Sequence, residues 1–264
     1  MIAPVVLGLR AVVAAFSFLT VLPFGRLVAL DGKDVARGSV LFPLVGGAIG
    51  ALTGGAAWIL GDHLPPMLAA VLAVAIGAAV TGALHLDGLA DCADGFGART
   101  PEDRLRVMRD HTNGTYGGTA LLLDLLIRVA ALSALAGSKE ALWISVAAGA
   151  LSRAAGPVLA ARLPYAADRP GAGEALNANP SFVRAIAAVF LALVILSLSL
   201  WAAGLNGSDG PAGFTPALIA AVVVVLLVGW TAKRRLGGVT GDVMGACSEL
   251  VELAVLVALV ATIS

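Results

Sequence analysis

The sequence predicts an all-α, polytopic transmembrane bundle of about seven spans plus an N-terminal re-entrant or interfacial helix. The whole chain, 1–264, reads as one integral membrane domain with a candidate active-site loop at about 87–117. Three observations predict this. Only 13% of the residues are charged and 59% are hydrophobic, against roughly 25% charged in an ordinary soluble domain. Mean hydropathy is +0.95, which several apolar runs of about 20 residues produce. The basic residues, moreover, fall almost wholly on alternate loops between those runs.

From the N-terminus, the segment at 5–24 is apolar but interrupted by Arg10. It is an eighth span, or a re-entrant or interfacial helix that turns at Pro23. No small-residue cleavage site follows, so it is expected to be retained. Apolar runs bounded by charge, Pro or Gly then place spans at about 38–60, 66–86, 118–136, 141–161, 183–205, 213–232 and 246–263. Stretches such as GAIGALTGGAA and LAVAIGAAVTGA are rich in small residues, which let helix backbones approach closely in lipid.

One set of loops carries Arg26, Lys33, Arg37, Arg99, Arg104, Arg106, Arg109, Arg162, Arg169, Arg184, Lys233, Arg234 and Arg235, whereas the opposite set carries only Lys139. The positive-inside rule makes the first set cytoplasmic. A missed or invented span would have mixed the two sets.

Composition also excludes some functions. Seventeen basic and seventeen acidic residues cancel, so no net field favours nucleic acid. Cys92 and Cys247 are far apart and lack metal-ligand spacing, which argues against a disulfide framework or a zinc site. Neither a 20-to-50-residue repeat nor an inverted correspondence of the two halves is visible, which weighs against a transporter.

The chemistry concentrates on the cytoplasmic side. In HLDGLADCADGFGAR, at 85–99, Asp87, Asp91 and Asp94 are spaced i, i+4 and i+7 and share one face of a helix. Three like charges there repel one another unless a cation lies among them. Carboxylate oxygens completed by water and substrate phosphates describe a Mg²⁺ site; the alternative is a solvated helix end. Gly88, Gly95 and Gly97 either admit a bulky phosphate or permit helix packing.

The loop continues as RTPEDRLRVMRDHTNGTYGG, at 99–118. Arg99, Arg109 and His111 supply donors for phosphate oxygens, while Arg104 and Arg106 are expected to face anionic lipid or water. The run Asn113, Gly114, Thr115, Tyr116 and Gly117 opens the next span, where backbone N–H groups at a helix N-terminus suit an anion. His85 and His111 flank the aspartates, and either is a candidate proton acceptor or a scaffold residue.

A second polar knot, TGDVMGACSELVE at 240–252, sets Asp242 before the last span and Glu249 and Glu252 inside it. Carboxylates within a span are costly and mark function or a compensating partner. Asp124, Arg128 and Arg153 are further charges in lipid. Asp124, Glu249 and Glu252 would line a cation path, which Arg128 and Arg153 would obstruct.

Two resemblances follow from these strings. DCADGFGAR, Asp91 to Arg99, resembles the first half of the DxxDGxxAR signature of membrane CDP-alcohol phosphotransferases; the second half is missing, with Met108, Thr112 and Tyr116 where that family has Gly, Asp and Asp. A closer resemblance is to the cobalamin synthase (adenosylcobinamide-GDP ribazoletransferase) family. It is carried by FSFLTVLP at 16–23, FPLVG at 42–46, TGALHLDGLADCADG at 81–95, MRDHTNGTYG at 108–117 and GDVMGACSE at 241–249.

That resemblance implies a Mg²⁺-dependent phosphotransferase of the cytoplasmic (inner) membrane. It would join adenosylcobinamide-GDP to α-ribazole or its 5′-phosphate and release GMP. Its partners would be those substrates and the lipid bilayer, with self-association or other late cobalamin-pathway enzymes left open. Combined with the residues, it gives a working expectation. Asp87, Asp91 and Asp94 hold metal, with Asp242 or Glu249 completing the site. Arg99, Arg109 and the Asn113–Gly117 turn bind phosphate, and His85, His111 or Asp94 takes the proton.

Overall fold

A computed structural model describes residues 2–26, 28–110, 112–166, 173–207, 210–211 and 213–263. His111 lies outside the described residues. The chain is helical almost throughout: α1 (Ile2–Leu19), α2 (Gly32–Gly38), α3 (Phe42–Gly61), α4 (Pro66–Thr81), α5 (Leu84–Phe96), α6 (Pro101–Val107), α7 (Thr115–Leu135), α8 (Lys139–Arg162), α9 (Glu174–Asn177), α10 (Phe182–Ala203), α11 (Phe214–Leu236) and α12 (Gly241–Val260). Outside the helices, Asn206–Gly207 pairs with Gly210–Pro211 as a two-residue antiparallel ladder.

Among the described residues, six helices are long and apolar enough to cross a membrane. They are Gly32–Gly61, taken as α2 running through a 3₁₀ turn into α3, together with α7, α8, α10, α11 and α12. A seventh candidate is the bent pair α4 and α5. The N-terminal apolar helix is shorter. Arg10 within it donates to Asp34 of α2 at 2.5 Å, so the residue that interrupts the apolar run ties α1 to α2.

The expected span at 66–86 needs correction. Its helix stops at Thr81, and residues 84–86 belong to α5, which leaves α4 at 91°. Gly82 and Ala83 both adopt left-handed backbone, at φ +61° and +56°. Ala83 N–H donates to the Ala78 carbonyl at 3.0 Å and closes the helix end, the bond of a Schellman-type stop. A left-handed alanine costs roughly 1–2 kcal/mol, so the turn is held by its surroundings and not by preference.

α8 is the axis of the bundle, 83% buried along its apolar window, while α11 is 11% buried in its own. Small residues explain the close packing of α8. A methyl group at Gly46, Gly50 or Gly54 of α3 would strike the carbonyl oxygens of Gly149, Ser145 and Ala141 of α8 respectively. The two helices therefore meet backbone to backbone at four-residue steps. α11 instead presents Val222, Leu226 and Trp230 outward, the surface that lipid requires.

Candidate active site

Polar residues gather at the end of the bundle where α3 and α12 begin and α8 ends. α5 lies there with Gly88 pressed on the backbone of Asp242, so close that a Cβ would sit 2.8 Å from its carbonyl oxygen. This contact sets the carboxylate face of α5 against the start of α12. Asp91 lies in the field of Asp87, Asp242 and Asp94, and Asp242 in that of Asp87 and Arg109. No described Lys, Arg or His comes within ion-pair distance of Asp87, Asp91 or Asp242.

Beside these carboxylates opens a cavity of about 320 Å³. Asp87, Asp242, Arg109 and Tyr165 line it together with His85 and Arg153. Tyr165 is fixed by a short parallel bridge to Val239, in which Ala166 N–H donates to the Val239 carbonyl at 2.9 Å. Burial pushes the Tyr165 phenol up, and Asp242 and Glu174 add to the effect. Phe18 of α1 and Phe42 of α3, stacked at 5.4 Å and 7°, supply an aromatic wall.

Asp94 departs from the metal expectation. Its carboxylate accepts the N–H of Gly114 at 2.7 Å and the N–H of Gly117 at 2.8 Å. The anion at the N-terminus of α7 is thus a side chain of the same chain, and two of the N–H groups expected to bind phosphate are taken. The shared helix face is real, but seven residues advance about 10 Å along an α-helix. One ion cannot be gripped by both ends of such a row. Among the described residues, no three His, Cys, Asp or Glu side chains converge as a ready metal cage.

Glu249 is also placed elsewhere. Deeper in the bundle it accepts from Arg128 at 2.5 Å, while Glu252 accepts from the other arm of Arg128 at 2.5 Å and from Arg153. Asp124 lies 3.4 Å from Arg128. His85 is buried above this network, its Nδ1 3.9 Å from Glu249 and without a hydrogen-bond partner. Three carboxylates and two guanidiniums from α7, α8 and α12 thus compensate one another, as buried charge must. A cation path would need those carboxylates free.

The remaining candidates divide. Arg109 lines the cavity. Arg99, Asn113, Gly114 and Tyr116 are exposed and outside its lining. The glycines take the packing alternative: a Cβ at Gly95 would meet Met108, and one at Gly97 the Tyr116 ring. Arg104, expected at lipid or water, is buried and donates to the Arg235 carbonyl at 3.1 Å. Sequence reasoning assigned no site role to Tyr165, Phe18, Phe42 or Gly156, although both phenylalanines stand in motifs that carried the family resemblance.

The cobalamin-5-phosphate synthase family model matches residues 11–260. An adenosylcobinamide-GDP ribazoletransferase of Chlorobaculum parvum is 39% identical over 259 residues, covering 94% of this chain and 93% of the relative. Proteins of the same name from Shigella flexneri and Escherichia coli O139:H28 are 36% and 37% identical, each over 93% of this chain and 97% of their own length. No solved structure matches the chain.

Proposed function

The chain belongs to the cobalamin-5-phosphate synthase family, and we propose that it acts as an adenosylcobinamide-GDP ribazoletransferase, joining GDP-activated adenosylcobinamide to α-ribazole or its 5′-phosphate. An acceptor oxygen attacks the phosphorus that bears cobinamide. A P–O bond forms there, the diphosphate P–O bond breaks, and GMP leaves with the electron pair. The proton of the attacking hydroxyl passes to an acceptor that lines the cavity, His85 or whichever of Asp87 and Asp242 the ion leaves free. A phospholipid-type CDP-alcohol phosphotransferase is disfavoured by the family match, and cation conduction by the paired state of Glu249 and Glu252.

One observation carries the reading: Asp87, Asp91 and Asp242 stand in one another's field at one end of the bundle, with no ion-pair partner among the described residues, and Arg109 lines the same cavity as Asp87 and Asp242. Catalysis of phosphoryl transfer is chiefly positioning and neutralisation of charge. The donor set is all hard oxygen, as Mg²⁺ prefers, and Mg²⁺ usually takes one or two carboxylates and completes its shell with water and substrate phosphates. A cage built from protein alone is therefore not required. Asp87, Asp91 and Asp242 would hold the ion, which would neutralise the diphosphate as GMP departs.

By the distribution of basic loops, this end faces the cytoplasm and the host bilayer is the cytoplasmic membrane. The test is to incubate purified protein with GDP-cobinamide, α-ribazole and Mg²⁺, with CDP-diacylglycerol offered in parallel. Formation of completed corrinoid and GMP in equal amounts is expected. Turnover of the lipid nucleotide alone would overturn the proposal.

A further inference from the structure

The bundle's buried glycines are of two kinds. Gly46, Gly50, Gly54 and Gly149 touch a neighbouring backbone, and any Cβ there would collide. Gly156 of α8 is equally buried, yet a Cβ built on it meets nothing within 4 Å. The reason is that it lines the cavity. Its missing side chain is empty space that a ligand can use, one helical turn beyond Arg153 on the same face.

We infer that this floor receives the aromatic base of the ribazole acceptor, and that Gly156 sets how deeply the base enters. The inference rests on the transferase reading above. Three features choose the acceptor over the other substrate groups. First, about 320 Å³ is near the lower end of the roughly 300–1,000 Å³ that enclose drug-sized ligands, a size that suits one aromatic base with its ribose. Second, the wall is mostly apolar and aromatic, with Phe18, Phe42, Leu84, Met108 and Met244 facing in. A benzimidazole base is flat and apolar and suits that wall better than guanine, whose edge donors and acceptors need partners that apolar side chains do not offer. Third, Asp87, Asp242 and Arg109 share the cavity with the apolar wall. A base held against that wall leaves its ribose near the charged groups at which phosphate is transferred.

Pro157 offers a rival reason for Gly156, because a Cβ before proline disfavours helical backbone. Alanine and leucine variants separate the two, since both add the same Cβ and only leucine fills the floor. The effect should grow with side-chain size: Gly156→Leu should raise KM for α-ribazole at least 30-fold, at least tenfold more than Gly156→Ala does, and leave KM for GDP-cobinamide within about threefold. Equal damage from both variants would assign Gly156 to the proline and overturn the inference. A rise in KM for GDP-cobinamide alone would give the cavity to the donor and overturn it as well.

Should the leucine variant fail to fold, wild-type enzyme can be given acceptors with progressively larger bases. A fall of at least tenfold in kcat/KM once the base outgrows benzimidazole is expected, and indifference to base size would sink the inference. Failure of the transferase reading would look different: wild-type protein would then form no corrinoid product with any acceptor.

Discussion

Two acidic clusters lie within this bundle, and they differ in what balances them. Asp124, Glu249 and Glu252 sit among Arg128 and Arg153, each carboxylate within ion-pair distance of a guanidinium. Asp87, Asp91 and Asp242 have no such partner among the described residues, although they repel one another. In sequence the two groups look alike. Their pairing separates a cluster compensated within the bundle from one to which the proposed function gives an external cation and a diphosphate.

Neutralising one member of each cluster should break different properties. Asp91→Asn is expected to lower kcat about 10²–10³-fold, the usual cost of losing one electrostatic contact to a transition state, with the unfolding midpoint in detergent nearly unchanged. A comparable loss of stability would merge the two clusters into one structural class. Glu252→Gln should act the other way round. Removing the carboxylate shared by Arg128 and Arg153 leaves buried charge uncompensated and should cost about 3–5 kcal/mol in a denaturation titration. If its stability matched wild type, the interior network would not be the fastener described.

Smaller effects sharpen the contrast. Asp94→Ala removes the cap of α7 and should cost about 1–2 kcal/mol, as loss of an N-cap does. Retention of Mg²⁺-dependent turnover by the surviving folded fraction would separate Asp94 from Asp91, and complete inactivity at full stability would return Asp94 to the metal. Arg106 pairs with Asp103 on the surface, its side chain 78% exposed. Such pairs contribute 1 kcal/mol or less by the usual range of about 0–1, so Arg106→Ala should change neither turnover nor midpoint measurably.

Much of this arrangement is legible in the sequence, and the illegible parts have identifiable causes. Apolar runs locate every spanning helix, because crossing lipid imposes length and hydropathy on each segment separately. The small-residue faces of α3 and α8 can be read for a similar reason. The turn at Gly82 and Ala83 is not so announced: glycine permits it, but alanine gives no sign of left-handed backbone. Helical spacing correctly puts Asp87, Asp91 and Asp94 on one face, but it says nothing of Gly114 and Gly117 arriving some twenty residues later to claim Asp94. Glu249 reads as a candidate ligand for the same reason. Its partner Arg128 is 121 positions away, and only the packing of α7 on α12 brings them together. Gly156 gives no sign in the sequence that it lines the cavity, since sequence cannot distinguish a glycine that admits a backbone from one that leaves a cavity.

If Asp87, Asp91 and Asp242, which have no ion-pair partner among the described residues, bind the divalent ion and the paired carboxylates do not, a titration with Mn²⁺, a paramagnetic stand-in for Mg²⁺, will show it in purified wild type, Asp91→Asn and Glu249→Gln, each with GDP-cobinamide present and absent. Substrate-enhanced binding should survive in Glu249→Gln and weaken at least tenfold in Asp91→Asn. Tight binding by Asp91→Asn together with its loss in Glu249→Gln would contradict the account.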